Sequence, residues 1–349
     1  MTDLGFYKDK KVLITGHTGF KGTWLSKILI NAGAGVLGYS LEPNTDPSLF
    51  ELSGIENQMT HVIGDIRDYE HLYEVFNGFK PEIVFHLAAQ PIVRESYANP
   101  RYTYETNVMG TVNVLDCIRN SKSIESAVII TTDKVYRNDE SGKKFCEDDI
   151  LDGFDPYSNS KSCAELAVAT YKRSFPDLPP ISTARAGNVI GGGDFAKDRI
   201  IPDCVRAVQK GEPIIVRNPQ SVRPYQHVLE PLFAYLLIAE KQYRDPSLAS
   251  SYNIGPSEAD CVTTAVLVDL FCSFWGEGAE WDSRPESNAP HEAEYLKLDC
   301  SRIRKNLRWN PKWSISESIE QTVDFYRHWI SGEKASDTMD EQLKRYMEQ

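Results

Sequence analysis

The sequence predicts an α/β protein built on a doubly wound parallel sheet, with a smaller C-terminal lobe that binds the substrate. Two observations predict this fold class. Short apolar runs rich in β-branched residues alternate with longer stretches of helical periodicity, and a glycine-rich turn directly follows the first run. The helical stretches supply the crossovers that parallel neighbours need. Ligands of such a sheet bind beyond the carboxyl ends of its strands.

The elements follow in chain order. The candidate strands are Lys11–Thr15, Gly35–Ser40, His61–Ile63, Ile83–His86, Ala127–Thr131 and Ile181–Arg185. The candidate helices between them are Lys21–Asn31, Tyr69–Gly78, Pro100–Asn120 and Pro156–Ser174. The pattern then loosens, with helices indicated at Pro202–Lys210 and Leu229–Lys241 and a polar, solvated helix within Ser331–Gln349. We expect a cofactor-binding domain at 1–187, with returning segments at about 225–255, and a discontinuous ligand-binding lobe at 188–349.

The composition excludes several classes of protein. The 349 residues include 50 acidic and 38 basic side chains, a formal charge of -12 that argues against general binding to nucleic acid or anionic membranes. The seven cysteines form no C-x-x-C motif, which favours free thiols in a reducing compartment and disfavours a zinc site. The longest apolar stretch, Leu232–Ala239, is too short to cross a bilayer, and the N-terminus lacks a signal-peptide pattern. These features predict a cytoplasmic protein with no metal site.

The turn after the first strand has the sequence Thr15-Gly16-His17-Thr18-Gly19-Phe20-Lys21-Gly22 and leads into a helix. Glycines here let the backbone approach a pyrophosphate closely, while the helix N-terminus offers free N–H groups to an anion. The spacing is G-x-x-G-x-x-G, so the position between a strand and a helix indicates a Rossmann-type dinucleotide site more strongly than the glycines themselves. The alternative is a tight turn without a ligand.

Two acids could contact the adenosine half of a dinucleotide. Glu42 lies about 20 residues after Gly22, but two residues beyond the expected strand end at Ser40, and it could equally be a surface residue. Asp65, just past the third strand, could accept from the adenine amino group or cap the next helix. Since no arginine nearby would receive a 2′-phosphate, NAD is favoured over NADP.

Tyr157 and Lys161 stand four residues apart at the start of a predicted helix. This spacing places them one turn apart on the same face. An ammonium beside the phenol would lower a tyrosine pKa from about 10 and make the phenolate a usable base. A structural pair is the alternative, but the position just after the fifth strand favours catalysis.

The fifth strand ends in Thr132, Asp133 and Lys134, which would project into the same site. Thr132 could bond the hydroxyl that Tyr157 deprotonates. An oxidation does not require the adjacent acid and amine of Asp133 and Lys134. A further proton transfer, at the carbon next to a carbonyl, would use both groups. The alternative is an ordinary surface pair.

These motifs together resemble the extended short-chain dehydrogenase/reductase family that works on nucleotide sugars, over nearly the whole chain. They are Thr15–Gly22, His86-Leu87-Ala88-Ala89, Thr106-Asn107, the Thr132 cluster and Tyr157-x-x-x-Lys161. A closer match to the 4,6-dehydratases of the family lies in His86–Gly110, Thr131–Arg137, Arg185–Pro202 and Arg223–His227. The resemblance implies three steps: oxidation of the sugar at carbon 4, loss of water across carbons 5 and 6, and return of the stored hydride to carbon 6.

The resemblance also implies the ligands and their residues. NAD would be held by Gly16, Gly19, Phe20, Gly22, Glu42, Asp65, Ile66, Leu87, Ala88, Ala89, Thr106, Tyr157 and Lys161. CDP-glucose would be the substrate, contacted by Thr132, Asn188, Arg199, Arg223 and Arg284. The catalytic residues would be Thr132, Asp133, Lys134, Tyr157 and Lys161, in a homodimer or homotetramer paired through the helices that begin at Pro100 and Pro156.

One departure concerns the base that takes the proton from carbon 5. Relatives that use dTDP-glucose carry Asp-Glu where this chain has Asp133-Lys134. We therefore assign Lys134 as the base, which requires a lowered pKa, and Asp133 as the acid. Arg199 stands where relatives have a lysine, and we interpret Arg217 as a solvated surface residue.

Three alternatives remain open at this point. A nucleotide-sugar 4-epimerase or decarboxylase would keep Tyr157 and Lys161 without needing the Asp133-Lys134 pair. A dehydratase of UDP- or dTDP-glucose would share the chemistry but not the base. A non-catalytic nucleotide-binding regulator would need none of these groups. Charge favours a phosphate ligand, since residues 188–227 hold six basic and four acidic side chains while residues 139–155 hold seven acids and two lysines.

Overall fold

A seven-stranded parallel sheet forms the centre of the computed structural model, which describes residues 2–276, 278–285 and 295–349. The strands are β1 (Lys11–Thr15), β2 (Gly35–Ser40), β3 (Thr60–Ile63), β4 (Ile83–His86), β5 (Ser126–Ile130), β6 (Lys144–Phe145), β7 (Ile181–Ala186), β8 (Val189–Ile190), β9 (Ile214–Val216), β10 (Val222–Arg223), β11 (Gln226–His227), β12 (Ser251–Ile254), β13 (Val262–Thr263), β14 (Trp281–Ser283) and β15 (Lys297–Leu298). The helices are α1 (Phe20–Asn31), α2 (Leu49–Ser53), α3 (Tyr69–Phe79), α4 (Val93–Ala98), α5 (Pro100–Tyr104), α6 (Gly110–Asn120), α7 (Pro156–Ser174), α8 (Ile200–Lys210), α9 (Leu229–Arg244), α10 (Thr264–Trp275), α11 (Ser301–Leu307), α12 (Ile315–Ile330) and α13 (Ala335–Glu348).

The strand order of the sheet is β12-β7-β5-β4-β1-β2-β3, and every neighbouring pair is parallel. The predicted doubly wound parallel sheet is therefore confirmed, with Ser251–Ile254 as the returning edge strand. The chain leaves β1 toward β2 and β3, then crosses to β4 and continues the other way. A crevice for ligands consequently opens beyond the carboxyl ends of β1 and β4.

Two apolar layers cover the sheet, one on each face, because the strands are buried on both sides. α3, α6 and α7 supply Leu72, Val114 and Val168 to one layer. α1, α9 and α12 supply Trp24, Leu236 and Phe325 to the other.

The helix predicted from Pro100 to Asn120 is interrupted in the structure. A π-helical segment, Glu105–Met109, joins α5 to α6. Such segments concentrate at functional sites. Here the segment carries Thr106 and Asn107, and the Asn107 amide bonds the Gln90 carbonyl at 3.0 Å and the Ser160 hydroxyl at 2.9 Å. The segment thereby ties the loop after β4 to α7.

The C-terminal tail was predicted to be a solvated helix, and this prediction was wrong. α13 buries Met339, Leu343 and Tyr346 against the main core. The Tyr346 hydroxyl also donates to Glu230 on α9 at 2.8 Å. The three buried side chains lie three or four residues apart, which places them on one helix face.

We expect Leu343→Ala to lower the free energy of unfolding by about 2–5 kcal/mol, because it leaves a cavity in a packed core. Leu343 is 3% exposed. Lys344→Ala is the matched control, since the Lys344 side chain is 76% exposed. Urea unfolding of both variants measures the difference. Equal stabilities would contradict the packing described for α13.

No helix among the described residues is both long and apolar enough to span a membrane. All seven cysteines are free thiols.

His86 and His227 are buried in the core, and burial lowers the pKa of each imidazole to about 3. His86 bonds Thr15 at 2.7 Å and Thr111 at 3.0 Å, so it is a packed, hydrogen-bonding histidine.

Candidate active site

The glycine-rich turn between β1 and α1 lies within van der Waals distance of the segment after β4. A Cβ added to Gly16, whose φ is +79°, would lie 2.7 Å from the Ala88 nitrogen, and one added to Gly22 would overlap the Gly16 carbonyl. Gly19 precedes α1 without a side-chain cap. The first N–H groups of the helix therefore remain available to an anion, as a dinucleotide pyrophosphate requires.

The far wall of this crevice also fits a dinucleotide. Leu87–Ala89 follow β4 as a half-buried segment, and the Ala88 N–H donates to the Thr15 hydroxyl at 3.3 Å. On the π segment, the buried Thr106 hydroxyl has no hydrogen-bond partner among the described residues, so it is available to a bound ligand. The predicted cofactor residues Gly16 and Gly22 of the turn thus lie against each other, and Gly16 lies against Ala88 after β4.

The predicted adenosine contacts lie near the ends of β2 and β3. β2 ends at Ser40, so Glu42 is two residues beyond it and exposed. Ile66 is buried and packs against the position that Gly110 leaves free of a Cβ.

Asp65 is held by its neighbour Arg67, whose Nε and Nη2 atoms donate to the carboxylate at 2.9 and 2.6 Å. Burial raises the pKa of Asp65, but the hydrogen bonds from Arg67 outweigh it and lower the pKa overall. The helix cap of α3 is Asp68, which accepts from the His71 N–H at 3.2 Å. The alternative that Asp65 caps the helix is thus wrong, and its carboxylate is held charged by Arg67.

α7 positions the predicted tyrosine and lysine. Asp155 caps the helix by accepting from the Ser158 N–H at 3.0 Å, and Pro156 fills the first turn. Lys161 is buried and donates to the Ile130 carbonyl at 3.1 Å, and burial lowers its pKa to about 8. The amine therefore lies at the carboxyl end of β5.

The prediction that the Tyr157 pKa is lowered was wrong. Burial raises the pKa of Tyr157 to about 12, while a hydrogen bond to Thr132 and the charge of Arg199 act in the opposite direction. The desolvation of the phenolate raises the pKa more than the hydrogen bond and the positive charge lower it. The spacing to Lys161 alone could not show this balance.

The Thr132-Asp133-Lys134 segment leads from β5 into a short 3₁₀ turn at Asp133–Val135. The Thr132 hydroxyl donates to Asp133 at 3.0 Å, and the Lys134 ammonium donates to Asp133 at 3.4 Å and to the Asn188 amide oxygen at 3.2 Å. The second Asp133 oxygen is buried without a partner among the described residues. The alternative of a surface ion pair is therefore wrong, because the Asp133 side chain is fully buried.

A cavity of about 480 Å³ opens above these residues, within the size range of small-molecule sites. Its lining includes the predicted residues Phe20, Thr132, Lys134, Tyr157, Asn188, Arg199 and Arg223. The structure thus brings the tyrosine predicted to be catalytic and several of the predicted substrate contacts from the second lobe to one cavity.

Two arginines depart from this pattern. Arg284 is paired with Asp282 at 3.3 Å and mostly exposed, and only the following residue, Pro285, lines the cavity. Arg217, interpreted from sequence as a solvated surface residue, does line the cavity and pairs with Asp198 at 3.3 Å. Its side chain is 36% exposed, so it is partly solvated, but it lies at the cavity wall.

The sequence did not single out Lys21 and Arg94, two further cations of the cavity wall. Lys21 lies inside the glycine-rich turn, where a lysine next to a phosphate-binding backbone is a usable signal. Arg94 lies in the matching stretch after His86 but has no distinguishing spacing.

Within 2–276, 278–285 and 295–349, no three potential ligands cluster as a metal site would need.

Comparisons with known proteins agree with this geometry. Residues 13–322 match the model of the GDP-mannose 4,6 dehydratase family. The chain is 45% identical to the CDP-glucose 4,6-dehydratase of Salmonella typhimurium, over 99% of each chain.

Solved structures share the fold. A dTDP-glucose 4,6-dehydratase from Bacillus anthracis in complex with NAD superposes with a TM-score of 0.76 at 22% identity, covering 91% of this chain and 96% of that one. A UDP-glucose 4-epimerase from Thermotoga maritima with UDP-glucose gives a TM-score of 0.78 at 22% identity, covering 92% and 99%. These comparisons confirm the resemblance and the fold class predicted from the sequence.

Proposed function

The chain belongs to the GDP-mannose 4,6 dehydratase family, and on that premise we propose that it converts CDP-D-glucose into CDP-4-keto-6-deoxy-D-glucose and water. It is an NAD-dependent nucleotide-sugar dehydratase. The observation that carries the proposal is the buried Asp133, hydrogen-bonded to both Thr132 and Lys134 beside Tyr157. An oxidation alone would need only the tyrosine and its hydroxyl partner.

The residues around the crevice fit a dinucleotide. Gly16 and Gly22 keep the turn free of side chains, Thr106 offers an unpartnered hydroxyl, and Tyr157 and Lys161 lie at the catalytic end. Bound NAD supplies a hydride acceptor for carbon 4 that later serves as the donor to carbon 6. The protein supplies the orientation and the proton transfers.

Tyr157 removes the proton of the 4-hydroxyl as the hydride leaves carbon 4. Its half-buried phenol lines the cavity, where desolvation and the Asp133 charge disfavour the phenolate while the Thr132 hydrogen bond and the Arg199 charge favour it, so the base must be generated within the assembled site. Lys161 lies one helical turn further along α7, and its amine is held at the carboxyl end of β5 by the Ile130 carbonyl. The product of this step is a 4-ketone, which acidifies the proton on carbon 5.

Once the Lys134 ammonium has passed a proton to the Asp133 carboxylate beside it, the neutral amine takes the proton from carbon 5 and the Asp133 carboxylic acid protonates the departing 6-hydroxyl, which leaves as water. When hydride returns to carbon 6, Lys134 gives its proton back to carbon 5. Asp133 has then lost one proton and Tyr157 has gained one. Thr132 is hydrogen-bonded to both residues, so its hydroxyl can pass the proton from Tyr157 to Asp133 and restore the starting state.

The test is to incubate the protein with CDP-glucose and follow the absorbance that a 4-keto-6-deoxy sugar develops in alkali. We expect product without consumption of added NAD, because the hydride is returned. UDP-glucose and dTDP-glucose are the matched controls. Turnover with either of them but none with CDP-glucose would refute both the substrate and the assignment of Lys134 as the base.

The same assay separates the alternatives. A 4-epimerase would interconvert the sugars without a product that absorbs in alkali, and a regulator would bind the nucleotide without turnover. The Asp133-Lys134 pair has no task in either alternative. It therefore favours the dehydratase.

We also propose a homodimer or homotetramer formed through α5, α6 and α7. Apolar side chains remain exposed on these helices and on the loop before α7. They are Tyr104, Met109, Phe154 and Leu166, and Phe154 is 73% exposed. Exposed apolar side chains on adjacent elements mark interaction surfaces.

We also propose a domain division and a cellular location. Residues 1–187, with the returning segments at about 225–255, would form the NAD-binding domain, and residues 188–349 the nucleotide-sugar lobe. β12, which completes the sheet from the later part of the chain, supports this division. Seven free thiols support a cytoplasmic location.

A further inference from the structure

Lys21 is a cation of the active-site cavity for which the proposed reaction has no task. It is the second residue of α1 and lies between Gly19 and Gly22 of the turn. With Phe20 it lines the cavity, whereas the glycines of the turn do not. Its Nζ atom lies 6.0 Å from the centre of the Tyr235 ring on α9. The side chain therefore extends from the cofactor crevice toward the substrate.

The cavity as a whole carries more positive than negative charge. Its lining contains six cationic side chains and three carboxylates. Most of the cations are paired with acids, in the ion pairs Arg199–Asp194, Arg94–Asp198, Arg217–Asp198, Arg217–Asp203 and Lys134–Asp133. Lys21 makes no hydrogen bond or ion pair with any residue that the structure describes. Asp133, which pairs with Lys134 but lies outside the lining, reduces the excess from three positive charges to two, and a ligand with two negative charges would balance it.

The placement of Lys21 is unfavourable without a ligand. An ammonium in the first turn of a helix opposes the positive end of the helix dipole. Burial lowers the pKa of Lys21 to about 7, and the nearby charges of Arg199 and Lys161 act in the same direction, while Asp133 opposes them. A desolvated ammonium at a helix N-terminus is unfavourable for stability, and such residues are expected at functional sites.

We propose that Lys21 binds the diphosphate of the nucleotide sugar, so that the turn which holds the cofactor also contacts the substrate. This inference rests on the proposed function. The cofactor pyrophosphate has the N–H groups of α1 as donors, whereas the Lys21 side chain extends into the cavity that Asn188 and Arg199 also line. An ammonium supplies charge-assisted hydrogen bonds to phosphate oxygens in that position.

The experiment is calorimetric titration of CDP, CMP and NAD into the wild-type protein and its Lys21→Met variant. We expect the affinity for CDP to fall at least about tenfold, because a hydrogen bond to a charged group is lost. The affinity for CMP, which lacks the second phosphate, should fall less. The affinity for NAD should change by less than about twofold, since the backbone donors remain.

Lys27→Met is the matched control, because Lys27 lies on the same helix and its buried ammonium pairs with Asp340 at 2.8 Å outside the cavity. It should leave CDP binding unchanged. An unchanged affinity of Lys21→Met for CDP, or a loss confined to NAD, would overturn the proposal. Failure of the proposed function shows separately, as absence of product from CDP-glucose with the wild-type protein.

The pH dependence of CDP binding gives a second measurement. The groups that face Lys21 are Arg199, Lys161, Asp133 and the Tyr235 ring. A phosphate beside Lys21 raises its pKa from about 7, so above that pH binding takes up a proton and affinity falls as the pH rises. Lys21→Arg should keep its affinity at high pH, because arginine stays protonated. A pH profile identical in the wild type and Lys21→Arg would contradict the proposal even if Lys21→Met did not fold.

Discussion

Replacing Tyr157 by phenylalanine is expected to abolish the formation of reduced cofactor from bound nucleotide sugar. The variant keeps the ring that packs in the site and removes only the hydroxyl that lies beside Thr132. Loss of a positioned general base lowers a rate by roughly 10²–10⁴-fold. Single-turnover measurements of nicotinamide absorbance after mixing with CDP-glucose report this first step directly.

The matched control is Tyr171→Phe, on the same helix but outside the cavity lining. It should react at the wild-type rate. Normal reduction of the cofactor in Tyr157→Phe would show that another group takes the proton of the 4-hydroxyl. Nucleotide affinity of both variants should match that of the wild type, which separates chemistry from binding.

Lys134→Ala should permit the first oxidation and block the loss of water. Lys134 is held by Asp133 and Asn188, so its removal deletes the proposed base while Tyr157 and Thr132 keep their positions. We expect the final product to form roughly 10²–10⁴-fold more slowly. Reduced cofactor should accumulate with the 4-keto sugar, because the hydride has no acceptor at carbon 6.

Lys143→Ala provides the comparison, since this exposed lysine pairs with Asp149 on the acidic loop and takes no part in the cavity. Its rate should equal that of the wild type. If Lys134→Ala retained the full dehydratase rate without accumulation of reduced cofactor, another residue would remove the carbon-5 proton.

The sheet could be predicted closely from the sequence because its strands are buried on both faces. Such strands appear as continuous apolar runs, and Lys11–Thr15 and Ile83–His86 match the structure at both ends. The prediction for the C-terminal tail failed for a different reason. Its composition is polar, but Met339, Leu343 and Tyr346 repeat at helical spacing, and the periodicity outweighs the composition.

The site could be predicted where local spacing fixes geometry. Tyr157 and Lys161 are set by a helical turn, and Thr132 by the end of a strand. The pKa of Tyr157 and the position of Arg217 could not be predicted, because both depend on how the second lobe folds over the sheet. Lys21 was overlooked since a motif describes the glycines of a turn and leaves its other residues undefined.

The π segment at Glu105–Met109 sets the phase of the helix on its two sides. A π turn adds one residue to a helix, so the side chains beyond it are rotated by about 100° relative to an uninterrupted α-helix. Thr103 on α5 accepts from the Gln90 amide at 2.9 Å after β4, while Val114 and Ile118 on α6 pack in the apolar layer over the sheet. The segment is thus a fixed angular offset between α5, which holds the loop after β4, and α6, which packs on the core.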